Sequence, residues 1–249
     1  MVFENLLNPV FSPLLKLPTL LAVTLLSFLV SLMVTLIYKY TTDQSLMKQL
    51  KDEMKGYQKQ IKELRKEPEK AMQVQKKAMQ TNMKYMMNSM KSTLFSFLPI
   101  IIIFSWMNAN FAYEPINPEK DFTATVTFAD NAQGIIELSV PEGIKINGNG
   151  TQEIKNGMAK WVLNGKEGNY LLEYKFDGKT YAHEVLITKK NEYINPVKKI
   201  ADANIKTIEI EHKAKKLLPL FRWKIGWLGT YIIFSIIFSI VVRKIIKVY

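Results

Sequence analysis

The chain has 249 residues, 48% of them apolar, with 34 Lys and Arg against 22 Asp and Glu, a formal net charge of +12, two His and no Cys. The absence of Cys excludes a disulfide framework, a thiolate nucleophile and any Cys-based zinc or iron–sulfur site. His183 and His212 alone are too few for a multi-His metal centre, so neither metal nor cofactor is expected and hydrolytic chemistry is disfavoured. The near-zero mean hydropathy averages three uncharged apolar runs with very polar segments, so each segment is read separately.

Residues 1–16 carry only Glu4 and Lys16, with no basic leader and no small-residue cleavage site. The first span is therefore expected to stay in the mature chain. That span, residues 17–38, holds 22 residues without a formal charge. As a helix it measures about 33 Å at about 1.5 Å per residue, enough for a hydrocarbon core about 30 Å thick. Residues 92–113 form a second uncharged run of 22 and residues 225–242 a third of 18. Buried core helices are the bland alternative, but uncharged runs of this length point to three transmembrane helices. Pro99, Asn108 and Asn110 make the second run the least regular.

Residues 39–91 hold 13 Lys and Arg against 6 Asp and Glu, while residues 113–221 hold 15 of each. Lys and Arg concentrate in cytoplasmic segments, which predicts a plasma-membrane protein with its N-terminus outside and its C-terminus inside. Lys213, Lys215, Lys216, Arg222 and Lys224 oppose that rule locally. Trp106, Trp223 and Trp227 are expected at the outer boundary, with Tyr38 and Tyr40 at the inner one. The expected order is a first span at 1–40, a cytoplasmic hairpin at 41–91 and a second span at 92–113. An extracellular β domain at 114–195, a juxtamembrane segment at 196–224 and a third span with its tail at 225–249 complete it.

In the hairpin, Leu50, Met54, Tyr57, Ile61 and Leu64 recur at heptad spacing. Pro68 interrupts the pattern, and Met72, Met79, Met83, Met86 and Met90 resume it. This predicts an antiparallel coiled coil. Eight of the 12 Met lie here, and Met83, Met86, Met87 and Met90 cluster at the predicted membrane surface. Pliable thioethers suit capture of hydrophobic segments of many shapes; the competing reading makes these Met the coiled-coil seam. The surrounding lysines suit anionic lipid headgroups or ribosomal RNA.

Each span also carries a mildly polar stripe: Thr24, Ser27, Ser31 and Thr35 in the first, Ser92 and Ser96 in the second, and Tyr231, Ser235 and Ser239 in the third. Hydroxyls commonly join membrane helices. The functional alternative is a groove open to cytoplasm and lipid that solvates a polar segment in transit. No ionisable residue lies inside any span, which removes the usual signature of ion-coupled transport.

From residue 121 to 188 the pattern becomes apolar–polar alternation broken by turns, which predicts a small all-β sandwich of six or seven strands. Asp177–Gly178 reads as a hairpin turn and Trp161 as core. Asn149-Gly150-Thr151 is a glycosylation sequon on a Gly-rich turn. His183 reads as an isolated surface or edge residue and His212 as having no constellation around it. Residues 196–221 read as a charged helix, or strand and helix, returning to the membrane.

The span ending in YKYTTDQSLMKQLKDEMKGYQKQIKEL, the hairpin leading through MNSMKSTLFSFLPIIIIF, and the last span KIGWLGTYIIFSIIFSIV together resemble the archaeal YidC-like proteins of the Oxa-type membrane insertase superfamily. The resemblance implies insertion or folding assistance for nascent membrane proteins, a groove formed by three core spans, and a coiled coil facing the ribosome. Membrane lipids and the protein translocation channel are further implied partners. Bacterial members carry a groove arginine in their first core span, whereas residues 17–38 here carry no charge. The expectation is a non-enzymatic insertase and chaperone; the alternative is a membrane-anchored surface protein that binds through its β domain.

Overall fold

Within residues 40–45 the chain changes from an apolar rod to a charged one, and local hydrogen bonds mark the break. In the computed structural model, which describes residues 2–130, 132–202, 204–220 and 222–248, a short helix α1 (Val2–Phe11) and a 3-10 turn precede α2 (Thr19–Thr41). The amide and the hydroxyl of Thr42 both donate to Tyr38 O, closing α2. Asp43 then caps α3 (Gln44–Glu63) by accepting from the amides of Ser45 and Leu46, which satisfies donors that a first helical turn leaves open. These bonds, led by that from the Ser45 side chain, hold the Asp43 carboxyl below its ordinary range. Pro68 opens α4 (Pro68–Phe111), where its missing N–H is not needed. The last helix is α5 (Trp227–Ile246). By length and composition α2, α4 and α5 can each cross a membrane.

The described chain divides into two compact units, residues 1–105 with 217–249, and residues 106–216. In the first, α2 and α5 pack along their length. Ser31 of α2 donates to Ser235 O, and Tyr38, seven residues on, meets Arg243, eight residues on, so the two helices run parallel. Phe104 of α4 packs edge-on against Tyr231 and Trp227, and Tyr85 of α4 lies against Tyr38, so α4 runs opposite to both.

The second unit is a sandwich. Its strands are β1 (Phe122–Phe128), β2 (Ile135–Ser139), β3 (Ile144–Ile146), β4 (Thr151–Glu153), β5 (Met158–Gly165), β6 (Gly168–Phe176), β7 (Lys179–Ile187), β8 (Val197–Lys199) and β9 (Ile205–Ile210). One sheet has the order β3-β5-β1-β9-β8 and the other β4-β2-β6-β7. Alternate side chains fill the space between them, with Trp161, Leu163, Leu172, Tyr174, Phe128 and Ile136 fully buried. Asp177 and Gly178, both at positive φ, join β6 to β7 through a two-residue turn.

One expectation is corrected here. Among the described residues of 196–221 there is no helix: β8 and β9 complete the five-stranded sheet, with Ile205, Ile208 and Ile210 buried. The three-residue spacing of Ile205 and Ile208 imitates a helix because the β1–β9 register shifts at Thr127/Phe128 and skips Lys206. The remainder is a hairpin, β10 (Lys216–Leu220) and β11 (Trp223–Gly226), leading into α5. Trp106 is fully buried, edge-on to Phe111.

Ile208→Ala is expected to cost about 2–5 kcal/mol, the range for truncating a buried aliphatic side chain. Denaturant unfolding of the detergent-solubilised chain, followed by tryptophan fluorescence, measures the loss. A surface-helix position would give a change within about 0.5 kcal/mol.

Candidate functional site

The most distinctive surface is on α4, which carries two rows at near-heptad spacing on opposite faces. Ala71, Val74, Ala78, Thr81, Tyr85, Asn88 and Ser92 form the inward row, which continues through Ser96 to Ile103; Thr81, Ser92, Ser96 and Ile103 are buried. Met72, Met79, Met83, Met86, Met87 and Met90 form the outward row and are 53–68% exposed. The seam expected from Met72, Met79, Met83, Met86 and Met90 is therefore corrected: they point away from the buried face. On α3 and the turn after it, Leu50 is buried and Met54, Tyr57, Ile61 and Leu64 are half-buried, and Met47 is buried as well. The α3 and α4 backbones nevertheless lack the continuous close approach of an interlocked two-stranded coil.

The Met row does not stop where α4 becomes apolar all round. From Met79 it continues through Met83, Met86, Met90, Leu94, Leu98 and Ile101, all exposed and three or four residues apart. At about 1.5 Å per residue this is a track about 33 Å long on one uninterrupted helix. Pro99 removes one helical hydrogen bond without ending the helix. Beside the track, Phe95 and the α2 residues Leu29, Leu32, Met33, Leu36, Ile37, Tyr40 and Thr41 line an open apolar depression of about 600 Å³.

The hydroxyl stripes are placed differently from expectation. Ser27, Ser31 and Thr35 are buried: Ser27 donates to Val23 O, Thr35 to Ser31 O, and Ser31 across to Ser235 O of α5. Thr24 donates to Leu20 O. These α2 hydroxyls are spent on main-chain acceptors, and the buried ones lie in packed interior, so they line no open groove; unsatisfied polar groups in hydrocarbon cost several kcal/mol. On the other helices, Ser96 donates to Ser92 O along the buried face of α4. Tyr231 is buried against Phe104, Ser239 is half-buried, and Ser235 Oγ is buried without a well-formed hydrogen bond, its polar neighbour being the Tyr231 hydroxyl.

A junction the sequence did not announce sits at the other end of the spans. The Tyr38 and Tyr85 hydroxyls are 3.5 Å apart, and the Arg243 guanidinium lies 5.0 Å from the Tyr38 ring centroid. One residue from each of the three membrane-length helices meets there. An arginine over an aromatic face is attracted by the ring's quadrupole.

In the second unit, His183 on β7 is buried and its Nε2 lies 3.3 Å from Pro196 O, which corrects the surface placement. His212 Nδ1 lies 2.9 Å from Ile210 O, and its ring packs with Tyr113 and Tyr193, a constellation the sequence did not reveal. Tyr193 donates to Asn108 O and accepts from the Ala112 amide, fastening the end of α4 within this unit. Burial holds both imidazoles below their ordinary range, only partly offset by the Pro196 and Ile210 carbonyls. No group of three or more metal-ligating side chains occurs among the described residues.

These features define a polytopic membrane protein in which apolar helices are followed by a β-rich unit. Residues 4–131 match the family of integral membrane proteins described as EMC3/TMCO1-like, and the chain belongs to that family. The family lies within the Oxa1/YidC/Alb3 insertase-related superfamily and is associated with membrane protein insertion. Comparison with curated proteins and with solved structures gives no match.

Because the chain is free of Cys, single cysteines report the two faces of α4 directly. Met86→Cys in detergent is expected to react with a water-soluble maleimide at least about tenfold faster than Thr81→Cys; equal rates would contradict the assigned rotation.

The two histidines predict a pH effect of definite sign. Above about pH 6.5, the ordinary imidazole value, they are neutral in folded and unfolded chains alike. As pH falls below it, the unfolded chain takes up protons first and folding weakens. Asp202, lowered to about 2 chiefly by the Lys179 hydrogen bond, loses its contribution only as pH falls from about 4 toward 2. Unfolding midpoints should therefore drop between pH 7 and 5, and His183→Asn with His212→Asn should flatten that drop.

Proposed function

We propose that this chain is a non-enzymatic insertase and chaperone for newly made membrane proteins, of the archaeal YidC-like kind. A hydrophobic client segment docks on the outward Met row of α4 and follows the same face into the lipid. A client that parts α4 from its neighbours uncovers the hydroxyls of Ser92, Ser96, Tyr231 and Ser235, which are buried in the closed arrangement, and these with half-buried Ser239 ease its short polar flank across. Of the α2 hydroxyls, Ser31 ties α2 to α5 while Thr24, Ser27 and Thr35 bond within their own helix, and none takes part in passage. The protein sits in the plasma membrane with its N-terminus outside, the basic α3–α4 hairpin and the C-terminal tail in the cytoplasm, and the β unit outside. The α3–α4 hairpin, whose helices do not interlock along their length, meets ribosome and anionic lipid, and the translocation channel is a neighbour.

The single observation that carries this reading is the exposure of six Met side chains on a segment flanked by lysines, running without a gap into a lipid-compatible face. An exposed apolar row of this length is stable in water only when a partner or bilayer covers it for part of the time. Burying one such side chain fully is worth about 1.5–3 kcal/mol, so a few contacts suffice for transient capture. Thioethers accept many client shapes because each has three soft torsions.

The test is insertion of a single-span, N-out reporter into proteoliposomes. The intact chain is expected to accelerate insertion. Changing Met83, Met86, Met87 and Met90 together to Ser should slow it about tenfold, equivalent to about 1.4 kcal/mol. Ser27→Ala with Ser31→Ala should stay within about twofold. Equal rates with and without the chain would overturn the proposal.

A further inference from the structure

The two sheets of the β unit end at different strands on each flank of the sandwich. On one flank the outer strands are β7 and β8, and Lys198 Nζ donates to Ala182 O of β7, occupying an edge carbonyl. On the other flank the outer strands are β3 and β4, joined by the turn 147–150, which passes from one sheet to the other. That turn is fastened beneath: Gly150 O accepts from Trp161 Nε1 at 2.9 Å and from the Leu138 amide at 2.9 Å. A side chain at Gly150 would press on Leu138 O, and Gly148 holds a positive φ with open space about it.

The turn presents the only Asn-X-Ser/Thr triplet in the 249 residues, Asn149-Gly150-Thr151. Both its outer residues are exposed. The Asn149 carboxamide is oriented by its oxygen, which accepts from the Thr151 amide at 3.1 Å in an Asx turn. Among the described residues neither its Nδ2 nor the Thr151 hydroxyl has a hydrogen-bond partner, and both side chains belong to exposed residues. A glycosyl acceptor needs this disposition: a free amide nitrogen, a free hydroxyl two residues on for recognition, and no proline between them.

We propose that Asn149 is an N-glycosylation site, rigidly displayed on the β3–β4 turn. The proposal rests on the outward placement of the β unit in the topology proposed above. The co-reactant is an oligosaccharide carried on a polyprenyl phosphate or diphosphate, with its transferase. Asn149 Nδ2 attacks the anomeric carbon of the first sugar and forms the C–N bond. The anomeric carbon–oxygen bond breaks, its electron pair leaves with the lipid phosphate, and the amide proton passes to a base of the transferase; nothing is oxidised or reduced. Attached there, the glycan covers the flank formed by β3 and β4.

The experiment is mass spectrometry of the tryptic peptide 146–155 from protein purified from its own membranes. The expected result is a glycan mass on Asn149 in most copies, abolished by Asn149→Gln and by Thr151→Ala and retained by Thr151→Ser. Unmodified peptide in the native protein overturns the proposal. Protease protection of intact cells, run in parallel, assigns the cause. A β unit cleaved from outside yet unmodified sinks the glycan site alone, whereas a protected β unit sinks the topology with it.

Discussion

The rotation of α4 about its own axis is the constraint on which the rest depends. It is fixed at two heights: Tyr85 against Tyr38, and Phe104 edge-on to Tyr231 at 4.7 Å. These anchors are nineteen residues apart, about 28 Å along a helix. Once both are satisfied, Thr81, Ser92, Ser96 and Ile103 must turn inward. The Met row, on the opposite side of the same cylinder, must turn out. A helix continuous from the charged hairpin into the apolar span then carries that choice from water into lipid without a joint at which it could reverse.

The pairing of α2 with α5 explains why the passage of a polar segment is assigned to the other surfaces. Ser31 is small enough to let α2 approach α5, and its hydroxyl donates across to Ser235 O. Ser27 and Thr35 satisfy their hydroxyls on carbonyls of α2 itself. Arg243, at the end of α5, is half-buried over Tyr38, so its charge is used at the helix ends and not in the middle of the spans. The β unit is built on separate terms, with its own core and its own attachment to the end of α4 through Tyr193.

Features encoded locally could be read from the sequence: the apolar runs, the break at Pro68, the Asp177–Gly178 turn and the alternation of β1 and β6 each depend on a few adjacent residues. What escaped reading depends on distant partners. Two heptad-compatible rows coexist on residues 71–92, and spacing alone cannot choose between them; the contacts of Tyr85 and Phe104 make that choice. Residues 196–221 read as a charged helix, or strand and helix, in part because a bulge at Lys206 of β9 breaks the two-residue rhythm there. His212 looked isolated because Tyr113 and Tyr193 are remote in sequence. The hydroxyl stripes were correctly found as stripes, but whether a stripe faces a groove or a neighbouring helix is decided by the packing of α5.

Photocrosslinkers placed one at a time along residues 79–101 of α4, facing a ribosome-stalled nascent membrane protein, test the central claim most directly. Adduct yield is expected to oscillate with the helical period, peaking at Met79, Met83, Met86, Met90, Leu94, Leu98 and Ile101 with minima at Thr81, Tyr85, Ser92 and Ser96. Maxima on the second set, or a flat profile, would contradict it.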